Sequence, residues 1–429
     1  MRDESLPNNL VDTLVKAKGA LVLTGAPEGY DAAALAEAAV KRGGVTLFVA
    51  RDESRAAQFE AAAKFFAHHL ETLRLPAWDT LPYDRISPAQ AIAAQRCAAL
   101  TALARRSPGT KTPLLVIATA SAVAQRVPPR ERLASGAFVA SAGSEASMGD
   151  LETYLVTNGY SRASTVRAAG EFAVRGGLID VFPPGGPEPL RFDFFGDELE
   201  TIRAFDAETQ ISKRTLKETL LTLVSEVLLD DATVLRFRRN FSQAFGAVSD
   251  AVYDSVSARI RRQGVEQWLP FFYERLETVF DYAGADAMVA FDALAEEAIH
   301  ERVETARDHY DARKSAPMAR GAMPFRAPEP DLLYLEGKIL ETALGDRPVR
   351  RFTHFDSDAK KQLDLGARAG RDFAPERQTA DANVFEAAAK HIEALLKGKR
   401  RVLMAAWTEG SAERLMTVLE DHGVKDLRR

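Results

Sequence analysis

The stretch LVLTGAPEGYDAAALAEAA (residues 21–39) places a short apolar run before a glycine-containing turn and an alanine-rich helical segment. Another apolar run, GVTLFVA (44–50), follows it. Strand, helix and strand in this order predict a β-α-β unit. Because PLLVIATASAVAQRV (113–127) repeats the change from strand to helix, we predict an open, mostly parallel α/β sheet.

The turn in the first stretch has the spacing of a phosphate-binding loop, G-x-x-x-x-G-K-[ST], without its chemistry. The four informative positions of that pattern are filled, in order, by Gly25, Tyr30, Asp31 and Ala32. The missing lysine would offset phosphate charge and the missing hydroxyl would hold Mg²⁺, whereas Asp31 repels phosphate. We therefore expect no nucleotide to bind here. Instead, Thr24 and Gly25 are expected to form a tight turn and Asp31 to cap the helix.

The composition is that of an ordinary globular chain of 429 residues, long enough for several domains. No apolar run approaches the roughly 20 residues needed to span a bilayer, so we expect a cytoplasmic protein without membrane contact. Cys97 is the single cysteine, and the seven histidines lack metal-ligand spacing, so neither a disulfide nor a metal or other cofactor is expected. The net charge of −5 lacks the positive bias of proteins held to nucleic acid by charge.

Residues 170–206 have a different pattern, with short alternating strands between Pro/Gly turns, which predicts an antiparallel insert. In LRFDFF (190–195), alternation buries the first, third and fifth side chains and leaves Arg191, Asp193 and Phe195 on the wet face. An arginine near an exposed phenylalanine is typical of a protein-binding hot spot, although Phe195 could instead fold under the following turn. Eight acids against three arginines in 171–206 disfavour nucleic acid as the ligand.

These changes of pattern divide the chain into five parts. We predict the first part of a degenerate phosphate-loop layer in 1–136, a β-rich insert in 137–222 and a helix-rich completion of the layer in 223–345. A linker is predicted in 346–382 because residues 366–382 are polar and aperiodic. The beginning of a small third α/β domain is predicted in 383–429, with RRVLMAAW (400–407) as its strand.

Two long blocks carry a resemblance to a known family: LPAWDTLPYDRISPAQAIAAQRCAALTAL (75–103) and GEFAVRGGLIDVFPPGGPEPLRFDFFGDELETIRAFD (170–206). They resemble the N-terminal module that transcription-repair coupling factors (Mfd) share with the excision-repair helicase UvrB. The resemblance covers residues 15–345. It implies an α/β layer whose β-rich insert recruits the damage sensor UvrA, and the family's contact residues match Arg175, Arg191 and Phe195.

The missing lysine favours the coupling factors, since UvrB keeps an intact phosphate loop. In that family, binding of RNA polymerase, movement on DNA and ATP hydrolysis belong to regions whose motifs do not occur here. The resemblance thus implies an N-terminal fragment without enzymatic activity that recruits UvrA. Two alternatives remain open. One is a fragment of an ATP-dependent DNA translocase or repair helicase whose motor lies outside this chain. The other is a DNA-binding module that uses the basic clusters RFRR (236–239), RIRR (259–262) and KGKRR (397–401).

Overall fold

The computed structural model describes residues 8–316, 324–335, 337–355, 359–379, 382–406 and 408–428. The helices are α1 (Asn8–Lys16), α2 (Tyr30–Arg42), α3 (Glu53–Phe66), α4 (Gln90–Arg105), α5 (Ala120–Ala124), α6 (Arg130–Ser135), α7 (Met148–Thr157), α8 (Asp231–Phe245), α9 (Ala251–Ser257), α10 (Leu269–Phe272), α11 (Val279–Ala283), α12 (Ala295–Ser315), α13 (Pro330–Leu333), α14 (Gly337–Leu344), α15 (Ala374–Gln378), α16 (Val384–Lys397) and α17 (Glu409–Asp421). The strands are β1 (Ala20–Thr24), β2 (Val45–Ala50), β3 (Glu71–Leu75), β4 (Leu114–Thr119), β5 (Phe138–Ser141), β6 (Ser144–Glu145), β7 (Ser161–Arg162), β8 (Glu171–Arg175), β9 (Leu178–Val181), β10 (Leu190–Phe195), β11 (Glu198–Phe205), β12 (Ser212–Leu216), β13 (Glu218–Leu221), β14 (Met288–Phe291), β15 (Val349–Phe352) and β16 (Gln362–Asp364). The chain divides into two units, Met1–Ala367 and Arg368–Arg429.

A seven-stranded parallel sheet organises the first unit, with strand order β16-β1-β15-β14-β2-β4-β3. Strands β2, β4 and β14 are buried at every position, because helices cover both faces of a parallel sheet. Leu47 and Val49 point into one core with α4, α5 and α12. Phe48 and Ala50 point into the opposite core with α1, α2 and α3. The predicted α/β fold class is confirmed.

The chain between α6 and α8 forms the antiparallel insert, whose main sheet has the order β12-β11-β10-β9-β8-β7. The short β7 pairs parallel with β8, and β6 pairs with β11. The incoming strand β5 and the outgoing strand β13 pair with each other, with Phe138 opposite Leu221. Helix α7 covers one face of the main sheet, where Leu151 and Leu155 belong to the same core as Phe192.

Tyrosine hydroxyls and one glutamine tie the insert to the parallel layer. The hydroxyl of Tyr154 donates to carbonyl oxygens of both chain segments at one end of the β5–β13 ribbon, Gly136 at 2.9 Å and Leu221 at 3.0 Å. The hydroxyl of Tyr160 donates to the carbonyl of the outgoing chain at residue 222, at 2.7 Å. From α4, Nε2 of Gln90 donates to the carbonyl oxygen of Gly170 at 2.6 Å. The glutamine bond ties the insert to α4, and the tyrosine bonds hold the insert against the segments where its chain enters and leaves.

The later part of the chain differs from two predictions. Part of the predicted linker 346–382 is regular structure, because β15 lies between β1 and β14 and β16 pairs with the outer side of β1. The sequence pattern missed β15 because its VRRF segment has two arginines, of which Arg350 is fully buried and donates to the carbonyl oxygen of Leu14 at 2.7 Å.

The second difference concerns the predicted strand 400–407. Residues 400–406 form no strand, and Trp407 lies outside the described residues. A strand needs a hydrogen-bonding neighbour, and within the described part of the second unit α16 and α17 instead share a small core that contains Ile392 and Leu419. The remaining domain boundaries stay predictions.

Candidate functional site

The altered phosphate loop connects β1 to α2. The chain bends at Gly25, which has a φ of 61°, and glycine adopts this left-handed conformation without strain. Asp31 lies in the first turn of α2 and is 1% exposed. Its Oδ1 accepts backbone hydrogen bonds from Gly29 at 2.9 Å and from Ala32 at 2.7 Å. The capping position itself belongs to Gly29, so the prediction that Asp31 caps the helix is wrong.

Arg55 of α3 is the charge partner of Asp31. Its guanidinium donates to Oδ2 of Asp31 and, through Nε, to Oδ1 of Asp292 at 3.0 Å. Each of these three side chains is at most 2% exposed. The guanidinium carbon also lies 5.6 Å and 5.5 Å from the ring centroids of Phe48 and Phe59. This buried cluster joins the chain segments that follow β1, β2 and β14.

Arg51 extends the cluster toward solvent. Its Nη1 donates to Asp292 at 2.9 Å and its Nη2 to Oε1 of Glu28 at 2.7 Å. Burial raises the pKa of Asp31 to about 6, with the nearby Arg55 charge opposing that rise. The guanidinium groups of Arg51 and Arg55 are both already paired with carboxylates. A phosphate entering this loop would add negative charge beside those carboxylates.

The other two altered positions of the loop, Tyr30 and Ala32, also contact other parts of the protein. The hydroxyl of Tyr30 donates to the carbonyl oxygen of Leu365 at 3.2 Å. Ala32 is fully buried among the apolar residues of the core that α2 covers. Sequence reasoning missed Arg55 because an arginine in the first turn of an exposed-looking helix ordinarily faces solvent. Asp52, three residues before Arg55, caps α3 by accepting from the backbone nitrogen of Arg55 at 2.8 Å.

The register of the insert sheet places Arg175, Arg191 and Phe195 on one face. Arg175 is opposite Leu178, which is opposite Asp193. Asp193 is two positions from both Arg191 and Phe195 in β10, and residues two apart in a strand share a face. The first, third and fifth residues of β10 are buried, which confirms the predicted alternation.

Arg191 is largely committed to an internal ion pair. Its Nε and Nη2 donate to the two carboxylate oxygens of Asp180 at 2.7 Å and 2.9 Å. The Arg191 side chain is 17% exposed and the Asp180 side chain 3%. The guanidinium carbon lies 4.8 Å from the ring centroid of Phe205, and the hydrogen bonds to Asp180 raise the pKa of Arg191. Arg191 therefore presents one edge to solvent from a fixed position.

Phe195 and Arg175 are the solvent-exposed side chains of this face. Phe195 is 76% exposed at the end of β10, so the alternative that it folds under the turn is wrong. Arg175 is exposed at the end of β8, and its Nη2 donates to the carbonyl oxygen of Ser164 at 2.5 Å and to the hydroxyl of Thr165 at 3.0 Å. Their contact with a partner stays a prediction.

The basic clusters are largely tied to neighbouring parts of the protein. In RFRR, Arg238 donates to the hydroxyl of Tyr253 at 3.3 Å. In RIRR, Arg259 is paired with Asp231, and Arg261 donates to a loop carbonyl oxygen at 3.0 Å. The third cluster, KGKRR, lies in the second unit. These contacts favour packed and solvated helix faces over a shared DNA-binding surface.

Comparison with known proteins bears on the insert directly. The profile of the UvrB interaction domain family matches residues 139–225, which include β6 to β13 and all of β5 except Phe138. The transcription-repair-coupling factor of Rickettsia conorii is 27% identical over 378 residues, 88% of this chain and 32% of that protein. The Haemophilus influenzae protein of the same name is 30% identical over 305 residues, 70% of this chain and 26% of that protein. The Escherichia coli protein of that name is 32% identical over 288 residues, 66% of this chain and 25% of that protein.

The resemblance to the transcription-repair-coupling factors is confirmed. It reaches well beyond the insert, since up to 88% of this chain is aligned. The chain spans only 25% to 32% of the length of these coupling factors. Within the described residues, no helix is both long and apolar enough to cross a membrane.

Proposed function

We propose that this chain is a non-catalytic, cytoplasmic module of a transcription-repair coupling factor that recruits the damage sensor UvrA to stalled RNA polymerase. The observation that carries the proposal is the match of residues 139–225 to the UvrB interaction domain. Arg175, Arg191 and Phe195 lie on one face of the sheet within that match. Binding of RNA polymerase and movement on DNA are proposed to reside in the parts of the longer coupling factors that this sequence does not align with.

Phe195 is the residue on which the recruitment proposal mainly depends. A ring that is 76% exposed in the free protein gains most by being covered by a partner. The strand holds its backbone, so little conformational freedom is lost on binding. The fixed edge of Arg191 and the exposed guanidinium of Arg175 supply charged donors beside it, which suit carboxylates of a partner.

Binding of purified UvrA, measured by calorimetry, tests the recruitment proposal. Phe195→Ala and Arg175→Ala are each expected to weaken binding by about 2 kcal/mol, roughly 30-fold in Kd, with an unchanged melting temperature. Phe65→Ala is the matched control, because Phe65 is a phenylalanine 80% exposed on α3, outside the insert. Wild-type affinity in both insert variants would show that UvrA binds elsewhere.

We also infer that the altered loop binds no nucleotide and that the chain has no ATPase activity of its own. The internal pairing of Arg55 with Asp31 and Asp292 supports this inference. The alternative of a translocase fragment agrees with it, because the motor would then lie outside this chain. The DNA-binding alternative predicts an affinity for duplex DNA that falls steeply as salt is raised, and a filter-binding series in salt distinguishes it.

A further inference from the structure

A pocket of about 430 Å³ opens in the first unit, outside the insert. Its walls are the loop after β3 that contains Tyr83 and Arg85, the loop after α9 that contains Arg262, and residues 324–327. Arginines form its rim and aromatic rings form its floor. We call it the arginine-rimmed pocket.

The backbone preforms the walls of this pocket. Tyr83 has a φ of 59°, a left-handed conformation that a bulky residue rarely adopts. Its backbone nitrogen is held by donating to Oε1 of Gln267 at 3.0 Å. Gly264 has a φ of 76°, and a Cβ there would lie 2.8 Å from the backbone carbonyl carbon of Arg85. The hydroxyl of Ser87 also accepts from the Gly264 nitrogen at 2.9 Å, so the two loops are held together.

The floor offers apolar surface. The ring centroid of Phe325 lies 6.1 Å from that of Tyr83 and 5.6 Å from that of Tyr310. Trp268 lines the same pocket, and its Nε1 is fixed by donating to the carbonyl oxygen of Arg326 at 2.9 Å. Trp268 and Phe325 are half-buried. A second apolar side chain placed against them would be removed from water at little ordering cost to the protein.

The rim carries positive charge that the protein leaves unpaired. Four arginines and two aspartates line the pocket. Two of the arginines are paired with the two aspartates at 3.3 Å, as Arg313 with Asp84 and Arg326 with Asp250. The other two, Arg85 and Arg262, are exposed, and their guanidinium groups contact no partner in the part of the chain that the structure describes. The rim therefore favours an anionic ligand.

We propose that the arginine-rimmed pocket binds an acidic peptide segment of a partner protein. An aromatic or large aliphatic side chain would lie on the floor, and neighbouring carboxylates would pair with Arg85 and Arg262 in the bidentate manner of guanidinium groups. A nucleic acid strand fits less well, because its regularly spaced phosphates would also pass the carboxylates of Asp84 and Asp250. A peptide can place its charges at the free arginines alone.

Fluorescence anisotropy on the full chain tests this proposal with a fluorescein-labelled peptide, Glu-Asp-Phe-Asp-Glu. We expect saturable binding that the double variant Arg85→Gln/Arg262→Gln weakens by at least about tenfold. Arg239→Gln is the matched control, because Arg239 is an exposed arginine of α8 that does not line the pocket. It should leave binding unchanged, while replacing the peptide's phenylalanine with alanine should weaken it. Thermal melts of both variants check that folding is retained.

Three results would overturn the assignment. The first is no saturable binding up to about 1 mM peptide. The second is an equal loss of binding in the double variant and in Arg239→Gln, which would indicate diffuse attraction by charge. The third is tighter binding of a labelled oligothymidylate that the double variant abolishes, which would make the pocket a nucleic-acid site. The UvrA test on Phe195 is independent of all three, since the pocket lies outside residues 139–225.

Discussion

Arg191 and Phe195 lie two positions apart on one face, yet their surroundings give them different roles. Removing the Arg191 side chain leaves the carboxylate of Asp180, whose side chain is 3% exposed, without its cation. Breaking a buried ion pair from one side costs about 3 kcal/mol or more. We therefore expect Arg191→Ala to lower the unfolding free energy by about that amount, as measured by urea unfolding.

Two further variants calibrate that measurement. Phe192 is fully buried, so Phe192→Ala should cost roughly 3–5 kcal/mol through the cavity it leaves. Arg175→Ala should stay within about 0.5 kcal/mol of the wild type, because Arg175 is exposed. If Arg191→Ala kept wild-type stability while UvrA binding was lost, Arg191 would be a direct contact and its pairing with Asp180 would be weak.

The raised pKa of Asp31 predicts how the unfolding free energy changes with pH. Its pKa of about 6 in the folded protein exceeds the ordinary value of 3.8, so between these values the folded state binds a proton that the unfolded state releases. The stability that this proton contributes is present at low pH and is lost as the pH rises through about 6. Asparagine cannot titrate. Relative to Asp31→Asn, the wild type is therefore expected to gain unfolding free energy as the pH is lowered from about 7 to about 4.

Urea unfolding of both proteins across that range measures the difference. A difference that stays constant with pH would mean that Asp31 keeps an ordinary pKa, and a difference that shrinks would reverse the sign. Arg55→Met provides a stronger perturbation, because it leaves Asp31 and Asp292 buried without the cation between them. It should cost about 3–5 kcal/mol.

The β1–α2 connection is a strand, a glycine turn and a helix, and the ion pairs of Arg55 with Asp31 and Asp292 lie beside that turn. Titration of the chain with Mg-ATP in a calorimeter is therefore expected to give no binding heat. Saturable binding tighter than about 100 μM, roughly 5.5 kcal/mol, would contradict this expectation.

Restoring the missing side chains alone should not restore nucleotide binding. In Asp31→Lys/Ala32→Thr, the new ammonium would lie beside the buried Arg55 guanidinium, and like charges in a buried site repel. We expect a lower melting temperature and still no ATP binding. Nucleotide binding by this double variant would show that Arg55 can leave the site and that the cluster is not what excludes phosphate.

The whole chain consists of two units of very different size, which limited proteolysis can separate. The division falls at Ala367 and Arg368, and residues 368–379 are mostly exposed and include Arg371 and Arg377. Trypsin is expected to cut in that segment first, because exposed backbone outside a core opens most easily. The insert arginines should resist, since strands β8 to β11 pair on both sides. Early cleavage at Arg175, Arg191 or Arg203 would mean that the insert sheet is the less stable part.

Local sequence patterns were sufficient to predict strands and their buried side chains wherever a single rule of chain geometry applied. The alternation in LRFDFF predicted which side chains of β10 are buried, because successive side chains of a strand point to opposite faces. The buried runs 44–50 and 113–127 predicted β2 and β4, because a parallel strand covered on both faces is a nearly continuous apolar run. The same reasoning did not predict β15. Its buried Arg350 donates hydrogen bonds to backbone carbonyl groups of a distant segment, which no local pattern reveals.

The amino-acid sequence by itself determined the α/β layer, the antiparallel insert, the absence of the loop lysine and the likeness to the coupling factors. Only the tertiary structure decided which charges meet. Arg55 reaches Asp31 and Asp292 because β1, β2 and β14 lie in one parallel sheet and their following segments converge at one edge. Arg191 is paired because the β9–β10 register places Asp180 opposite it. Phe195 is exposed to solvent, since the pairing with β9 ends at Asp193. Such contacts join residues distant in the chain, and their spacing is set by strand order and register, which no single segment encodes.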